Sequence, residues 1–128
     1  MLSSVPSDGV VIVADLEAGI GTLTRLEDKS VDVTVVVVEP TPRSMDVATR
    51  AVSVADERGQ GRIIIAANKV ADTEDERRIR DAFPDREMLL VPVDSVIEKA
   101  DRAGLSPVDV DAASPAVTAI ESLAKLLT

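Results

Sequence analysis

The chain contains no cysteine, histidine, tryptophan or tyrosine, and Phe83 is its single aromatic residue. Each absence closes a class of function. No disulfide, thiol chemistry, zinc site or imidazole base can be built, and Ser–His–Asp and Cys–His arrangements drop out with them. Any metal must be held by oxygen ligands, which makes Mg²⁺ the natural candidate. One aromatic leaves no stacking platform for single-stranded nucleic acid. A formal net charge of −9 opposes the phosphate neutralisation on which non-specific DNA or RNA binding rests, so no nucleic-acid partner is expected. The longest apolar runs fall far short of the roughly 20 residues of a membrane span. Met1–Asp8 is short, polar and uncharged apart from Asp8, unlike a secretory leader, so the expected location is the cytoplasm. No G-x-x-x-x-G-K-[S/T] phosphate loop occurs in the 128 residues.

What is present is aliphatic. Hydrophobic residues make up 45 % of the chain, so with one aromatic the core must be built of Val, Ile, Leu and Ala. The length suits one domain, residues 1–128, burying roughly two-thirds of its unfolded surface. Val10–Ala14, Val33–Val38, Arg62–Ala67 and Met88–Val93 are strand candidates, each rich in β-branched residues or leucine and bounded by turn residues. None alternates apolar with polar, so both faces must be covered, as in a parallel sheet.

The segments between them have helical period. Ile20, Leu23 and Leu26 share a face. Pro42 suits a first helical position after Thr41, with Met45, Ala48, Val52 and Ala55 as the apolar stripe and an end before Gly59. Thr73-Glu74-Asp75-Glu76 reads as a capping box, Ile79 and Phe83 lie one turn apart, and Pro84 stops that helix. Ser95 with Glu98 reads as a second capping box, with Gly104 as the stop. Ser114-Pro115 opens the last helix, with Val117, Ile120, Ala124 and Leu127 on one side; Asp109–Ala113 is the most linker-like stretch.

The order β-α-β-α-β-α-β-α-α predicts an α/β fold: a parallel sheet of about four strands with crossover helices, in two or three layers. Crossovers are right-handed, so strands laid side by side in sequence order put all three crossover helices on one face. One C-terminal helix cannot cover the other face of four strands. A homodimer or a partner protein is therefore expected over the remainder.

The polar residues worth weighing sit where strands end, the place where parallel sheets bind ligands. Asp15 and Glu17 follow the first run; they read either as Mg²⁺ or water ligands or as a solvated acidic turn at a helix start. Gly19 and Gly21, with no lysine after them, are not a phosphate cradle. Asn68-Lys69 ends the third run; the Asn carboxamide suits an adenine edge, being donor and acceptor at once, or simply satisfies loop backbone. Pro92-Val93-Asp94 ends the fourth, in a site or in a plain strand-to-helix turn. Asp15, Glu39-Pro40, Asn68-Lys69 and Asp94 are all expected at one carboxyl edge.

Taken in order, Asp15-Leu16-Glu17-Ala18-Gly19-Ile20, Val35-Val36-Val37-Val38-Glu39-Pro40 with Ser44, Ala67-Asn68-Lys69-Val70, and Val91-Pro92-Val93-Asp94 with Ala100-Asp101 and Gly104 resemble the MinD/ParA-type ATPases in order and spacing. Within these, the CooC-like group, nickel-insertion accessory ATPases of carbon monoxide dehydrogenase, is the nearest in look. The resemblance runs from about Val10 to the end. It implies a truncated P-loop NTPase (Rossmann-like) fold. Asp15 would be the Walker B carboxylate, Asn68 would lie against adenine, and Pro92 and Asp94 would lie near the base. It implies ATP or ADP with Mg²⁺ as ligand and a nucleotide-sandwich dimer as assembly.

The chain departs from the family in lacking the phosphate loop with its two lysines, the helix after it, the switch I region and the nickel-binding Cys-x-Cys. In the family the phosphate-loop strand lies between those matching Val10–Ala14 and Val33–Val38, so these two must pair directly or receive a strand from another chain. The expected function is a non-hydrolysing interaction or regulatory module that self-associates. Two other readings stand beside it: an ATPase half whose phosphate loop comes from a separate chain, and a piece of a larger domain.

Overall fold

A computed structural model describes residues 9–15, 31–59 and 61–128. Three of the four β-branched runs form strands: β1 (Val33–Val38), β2 (Arg62–Val70) and β3 (Glu87–Pro92). They pair in parallel and in sequence order, β1-β2-β3, with Val36 opposite Ile65 and Ile65 opposite Met88. Among the described residues five helices connect and flank them: α1 (Pro42–Glu57), α2 (Thr73–Ala82), α3 (Ser95–Ala103), the single turn α4 (Pro107–Val110) and α5 (Pro115–Leu127).

The expected first strand is not one. Val10–Ala14 carries no strand pairing, and its side chains are exposed, Val13 by 82 %. A strand exists only through its neighbour's hydrogen bonds. Among the described residues the outer edge of β1 has no neighbour, so the direct pairing of Val10–Ala14 with Val33–Val38 does not occur. The expected Ile20–Leu26 helix lies outside the described residues.

One sheet face carries Val36, Val38, Ile63, Ile65 and Ala67, packed under the α1 stripe Ala48, Val52 and Ala55 and under Ile79 and Phe83 of α2 and its end. This is the aliphatic core that the composition requires. The opposite face is not bare. Ile64, Ala66 and Val91 are buried there, and α5, with Ala116 and Val117 inward, packs on β3. Each large aliphatic side chain so buried contributes about 1.5–3 kcal/mol. Cover ends at β1, where Val37, register partner of the buried Ala66, is 62 % exposed.

The helix starts correct two expectations. Thr41 caps α1 as expected, its side chain accepting from the Ser44 amide. In α2 the cap is Asp72, not Thr73: its Oδ1 accepts from the Asp75 amide at 2.9 Å. In α3 it is Asp94, not Ser95. In both cases an extended acidic residue one position earlier holds the free amides, and Asp outranks Thr as a cap. The linker-like 109–113 stretch is partly helical, since α4 runs to Val110 and Asp111 Oδ1 then accepts from the Ala113 amide.

Before β2 the chain needs glycine. Gly61 has φ +59, and a Cβ there would lie 2.5 Å from the Asp32 carbonyl oxygen. Arg62, next in sequence, fixes the amino edge: its Nε donates to Glu87 Oε2 at 2.7 Å and its Nη1 to the Leu126 carbonyl at 2.9 Å. These bonds tie β2, β3 and the end of α5 together, and the guanidinium holds the Glu87 carboxyl below its ordinary range.

Candidate functional site

Parallel pairing brings the strand ends together. Glu39 follows β1, Asn68 and Lys69 lie just before Val70 at the end of β2, and Pro92 ends β3 with Asp94 just beyond. The expected convergence of Glu39, Asn68-Lys69 and Asp94 on one carboxyl edge is therefore present. Asp15 belongs to the unpaired 10–15 segment and is exposed, so it does not extend that edge as a strand-end residue. Glu17 lies outside the described residues. Among the described residues no three acidic side chains are grouped to hold a metal.

The centre of the edge is a bulge. Ala67 pairs with Leu90 and Val70 with Pro92, so β2 spends one residue more than β3 over the interval. Lys69 absorbs the excess in the left-handed region, at φ 56. For a residue with a Cβ that conformation costs roughly 1–2 kcal/mol. It lifts Lys69 out of the ladder towards β1, where its Nζ meets Glu39 Oε1 at 2.8 Å. The Val93 amide then donates to the Val70 carbonyl and closes the ladder beyond the bulge.

Glu39 is positioned from the other side. Its amide donates to Ser44 Oγ at 2.9 Å, and its carbonyl accepts from the Thr41 amide, which fixes the turn from β1 into α1. The bulge leaves Asn68 half-buried at the edge. Its carboxamide makes no hydrogen bond with the described residues, so a donor and an acceptor face whatever occupies the edge.

Asp94 does something different. Its Oδ1 accepts from the Val96 amide at 2.9 Å and its Oδ2 from the Ala116 amide at 3.0 Å. One carboxylate thus caps α3 and reaches the first turn of α5, residues 22 apart in sequence. The Ala116 amide, then that of Val96, hold the carboxyl below its ordinary value; burial opposes them, and Ser114 and Lys99 add lesser contributions in the same direction as the amides. α5 therefore runs from Asp94 at the carboxyl edge to the Arg62 clasp at the amino edge.

The Lys69–Glu39 pair and the Asp94 staple were not foreseen as contacts. The pair has a sequence signal, since opposite charges stand one and two residues beyond Val38 and Ala67, which pair in register. The staple has none, because it joins two helix starts far apart in the chain. As a set, the described edge residues offer the Asn68 carboxamide, the Lys69–Glu39 ion pair and a carboxylate already engaged with two backbone amides. They do not make a phosphate cradle, and they supply no oxygen cage for a divalent cation.

No protein-family profile matches the chain. It is 37 % identical over 103 residues to the carbon monoxide dehydrogenase accessory protein CooC of Rhodospirillum rubrum, a match covering 80 % of this chain and 39 % of that protein. It is 32 % identical over 117 residues to an uncharacterized ATP-binding protein of Methanocaldococcus jannaschii, covering 88 % of this chain and 44 % of the relative. The chain thus spans less than half the length of the curated relatives it matches. Over that span it is related in sequence to CooC and to an ATP-binding protein, the kinship that its ordered strand-end motifs imply.

Proposed function

We propose that this chain is a self-associating interaction or regulatory module related to CooC-type ATPases, that its carboxyl edge retains the base-binding half of a nucleotide site, and that it does not hydrolyse ATP by itself. The observation that carries the reading is the half-buried carboxamide of Asn68, without a hydrogen bond among the described residues, beside a left-handed Lys69, at the strand-end edge of a chain whose relatives include an ATP-binding protein.

Asn68 would hold the base edge, while Lys69, released from Glu39, would face the anionic side of the ligand. Pro92 would flank the base. Asp94, with both oxygens already accepting from backbone amides, would shape the edge by holding α3 and α5. A bound nucleotide would supply its own Mg²⁺ and phosphate chemistry; Asp15 and Glu17 are the residues proposed to lie near that ion. Hydrolysis needs preorganised amides and a lysine on the β- and γ-phosphates, and no such loop occurs in these 128 residues.

Calorimetric titration with ATP and ADP, with and without Mg²⁺, tests the reading. Micromolar binding that Asn68→Ala abolishes supports it. Absence of binding at millimolar nucleotide refutes the base-site half. Turnover above background that is lost in Asp15→Asn refutes the non-hydrolysing half.

A further inference from the structure

Three of the five carboxyl-edge residues Glu39, Asn68, Lys69, Pro92 and Asp94 carry a charge, and Lys69 is the one cation among them. Asp94 has both carboxylate oxygens engaged by backbone amides. Glu39 instead spends its charge on Lys69, Oε1 lying 2.8 Å from Nζ. The edge cation is thus neutralised from within the chain.

The partners are held unequally. The backbone of Glu39 is fixed on both sides, its amide donating to Ser44 Oγ at 2.9 Å and its carbonyl accepting from the Thr41 amide at 2.8 Å. The backbone of Lys69 is fixed by the bulge between Ala67 and Val70, which sets φ 56 whether or not the ion pair forms. The Lys69 ammonium, however, ends a flexible four-carbon stem, and that side chain is 64 % exposed against 39 % for Glu39. Lys69 is therefore the member that can swing. An ion pair this exposed favours its closed form by a factor of at most about five. That is less than the left-handed backbone costs, so the pair does not explain the conformation, and it is weak enough for a phosphate group to displace. Asn68, whose carboxamide makes no hydrogen bond with the described residues, is the preceding residue of the same bulge, so a ligand whose base meets Asn68 stands beside the pair.

We propose that Glu39 is a built-in competitor for Lys69: in the free chain it occupies the cation, and a nucleotide engages Lys69 only by displacing it. The ligand then gains the difference between two ion pairs rather than the whole of one. Glu39 thereby sets how much a phosphate group adds to binding, and the edge selects for the base over the charge. The inference rests on the base-binding reading of the carboxyl edge and names the residue that tunes it.

The test is calorimetric titration with adenosine and with AMP, at one low salt concentration, of the wild-type chain, Glu39→Gln, Lys69→Gln and the double variant. The bonds that fix the turn at Glu39 come from its backbone, so Glu39→Gln keeps the fold, checked by circular dichroism. Glu39→Gln is expected to bind AMP about three- to fivefold more tightly than wild type and to leave adenosine unchanged. With Lys69→Gln already in place, the same substitution should change AMP binding by less than about twofold. An AMP gain of equal size with and without Lys69 means that Glu39 simply repels phosphate, and overturns the competition. An equal gain for adenosine and AMP, or none for either, overturns it as well, while adenosine binding that Asn68→Ala abolishes leaves the base-binding reading standing. Absence of binding of both ligands in wild type and Glu39→Gln alike overturns that reading and this inference together.

Discussion

The two flanks of the sheet are both built largely from aliphatic residues and end differently. On the β3 flank, α5 crosses the full strand length, held by Asp94 at one end and Arg62 at the other, and Ile64, Ala66 and Val91 are sealed beneath. On the β1 flank, a strand as apolar as the others has no neighbour outside it among the described residues, and Val37 faces water on the sheet face where Ile64 is fully buried. Hydrophobicity alone therefore does not make a closed layer here. Closure follows two polar anchors that hold one helix at both ends, and among the described residues the β1 flank has no equivalent.

The largest effect that tests this contrast is a paired truncation. Ile64→Ala removes a side chain with no exposed surface and is expected to destabilise the chain by about 3–4 kcal/mol. Val37→Ala, on the same face one strand away, is expected to cost under about 0.5 kcal/mol at concentrations where the chain is monomeric. Urea unfolding checks both. Similar costs at the two positions would mean that the β1 flank is covered after all.

Next comes the anchor itself. Asp94→Ala leaves two helix-start amides without their acceptor and is expected to lower the unfolding temperature by roughly 10 °C, whereas Asp94→Asn, which still caps α3, is expected to lose about half as much. The pH dependence has a definite sign. The carboxyl titrates below its unfolded value, so its contribution is fully present above the ordinary aspartate range and is lost as pH falls through the lower, folded value. Asp94→Ala should therefore flatten the acid limb of the stability–pH curve. An unchanged acid limb would remove Asp94 as the anchor.

The same contrast separates what could be read from the residues from what could not. Val33–Val38, Arg62–Ala67 and Met88–Val93 declared themselves by local composition, because β-branched runs between turn residues suffice when a neighbouring strand exists. Val10–Ala14 has the same composition and fails, because pairing is a property of two segments and the sequence advertises only one. The edge residues Glu39, Asn68, Lys69, Pro92 and Asp94 were legible, since alternation of strand and helix fixes which ends meet. The work of Asp94 was not, since its second partner, Ala116, lies in another helix start. Nor was the left-handed turn at Lys69, because lysine carries no signal for that conformation and only the mismatch between Ala67–Val70 and Leu90–Pro92 demands it.

A smaller effect belongs to β1. Thr34 Oγ1 is buried and finds no hydrogen-bond partner among the described residues. An unmet buried hydroxyl costs roughly 1–3 kcal/mol, so Thr34→Val, of nearly the same shape, is expected to stabilise the chain by about 1 kcal/mol in thermal unfolding. Destabilisation instead would reveal a partner for that hydroxyl and a better-satisfied β1 than the contrast allows.

The smallest effect lies at the joint between the flanks, where Lys69 reaches from the β2 bulge to Glu39 beyond β1. Lys69→Gly relieves the left-handed backbone, a gain of about 1 kcal/mol, and loses an ion pair whose partners are both substantially exposed, a loss of roughly 0–1 kcal/mol. Stability should therefore stay within about 0.5 kcal/mol of the parent or rise slightly. Nucleotide affinity should fall, because the cation leaves the edge with the side chain. Lys69→Ala separates the contributions: it loses the same ion pair but keeps the strain, and so should be less stable than Lys69→Gly by about 1 kcal/mol. If glycine and alanine prove equal in stability, the bulge is relaxed in solution and the strained lysine is no guide to a site. If glycine is the more stable and only binding suffers, the left-handed conformation is retained at a cost in folding for what Lys69 does at the carboxyl edge.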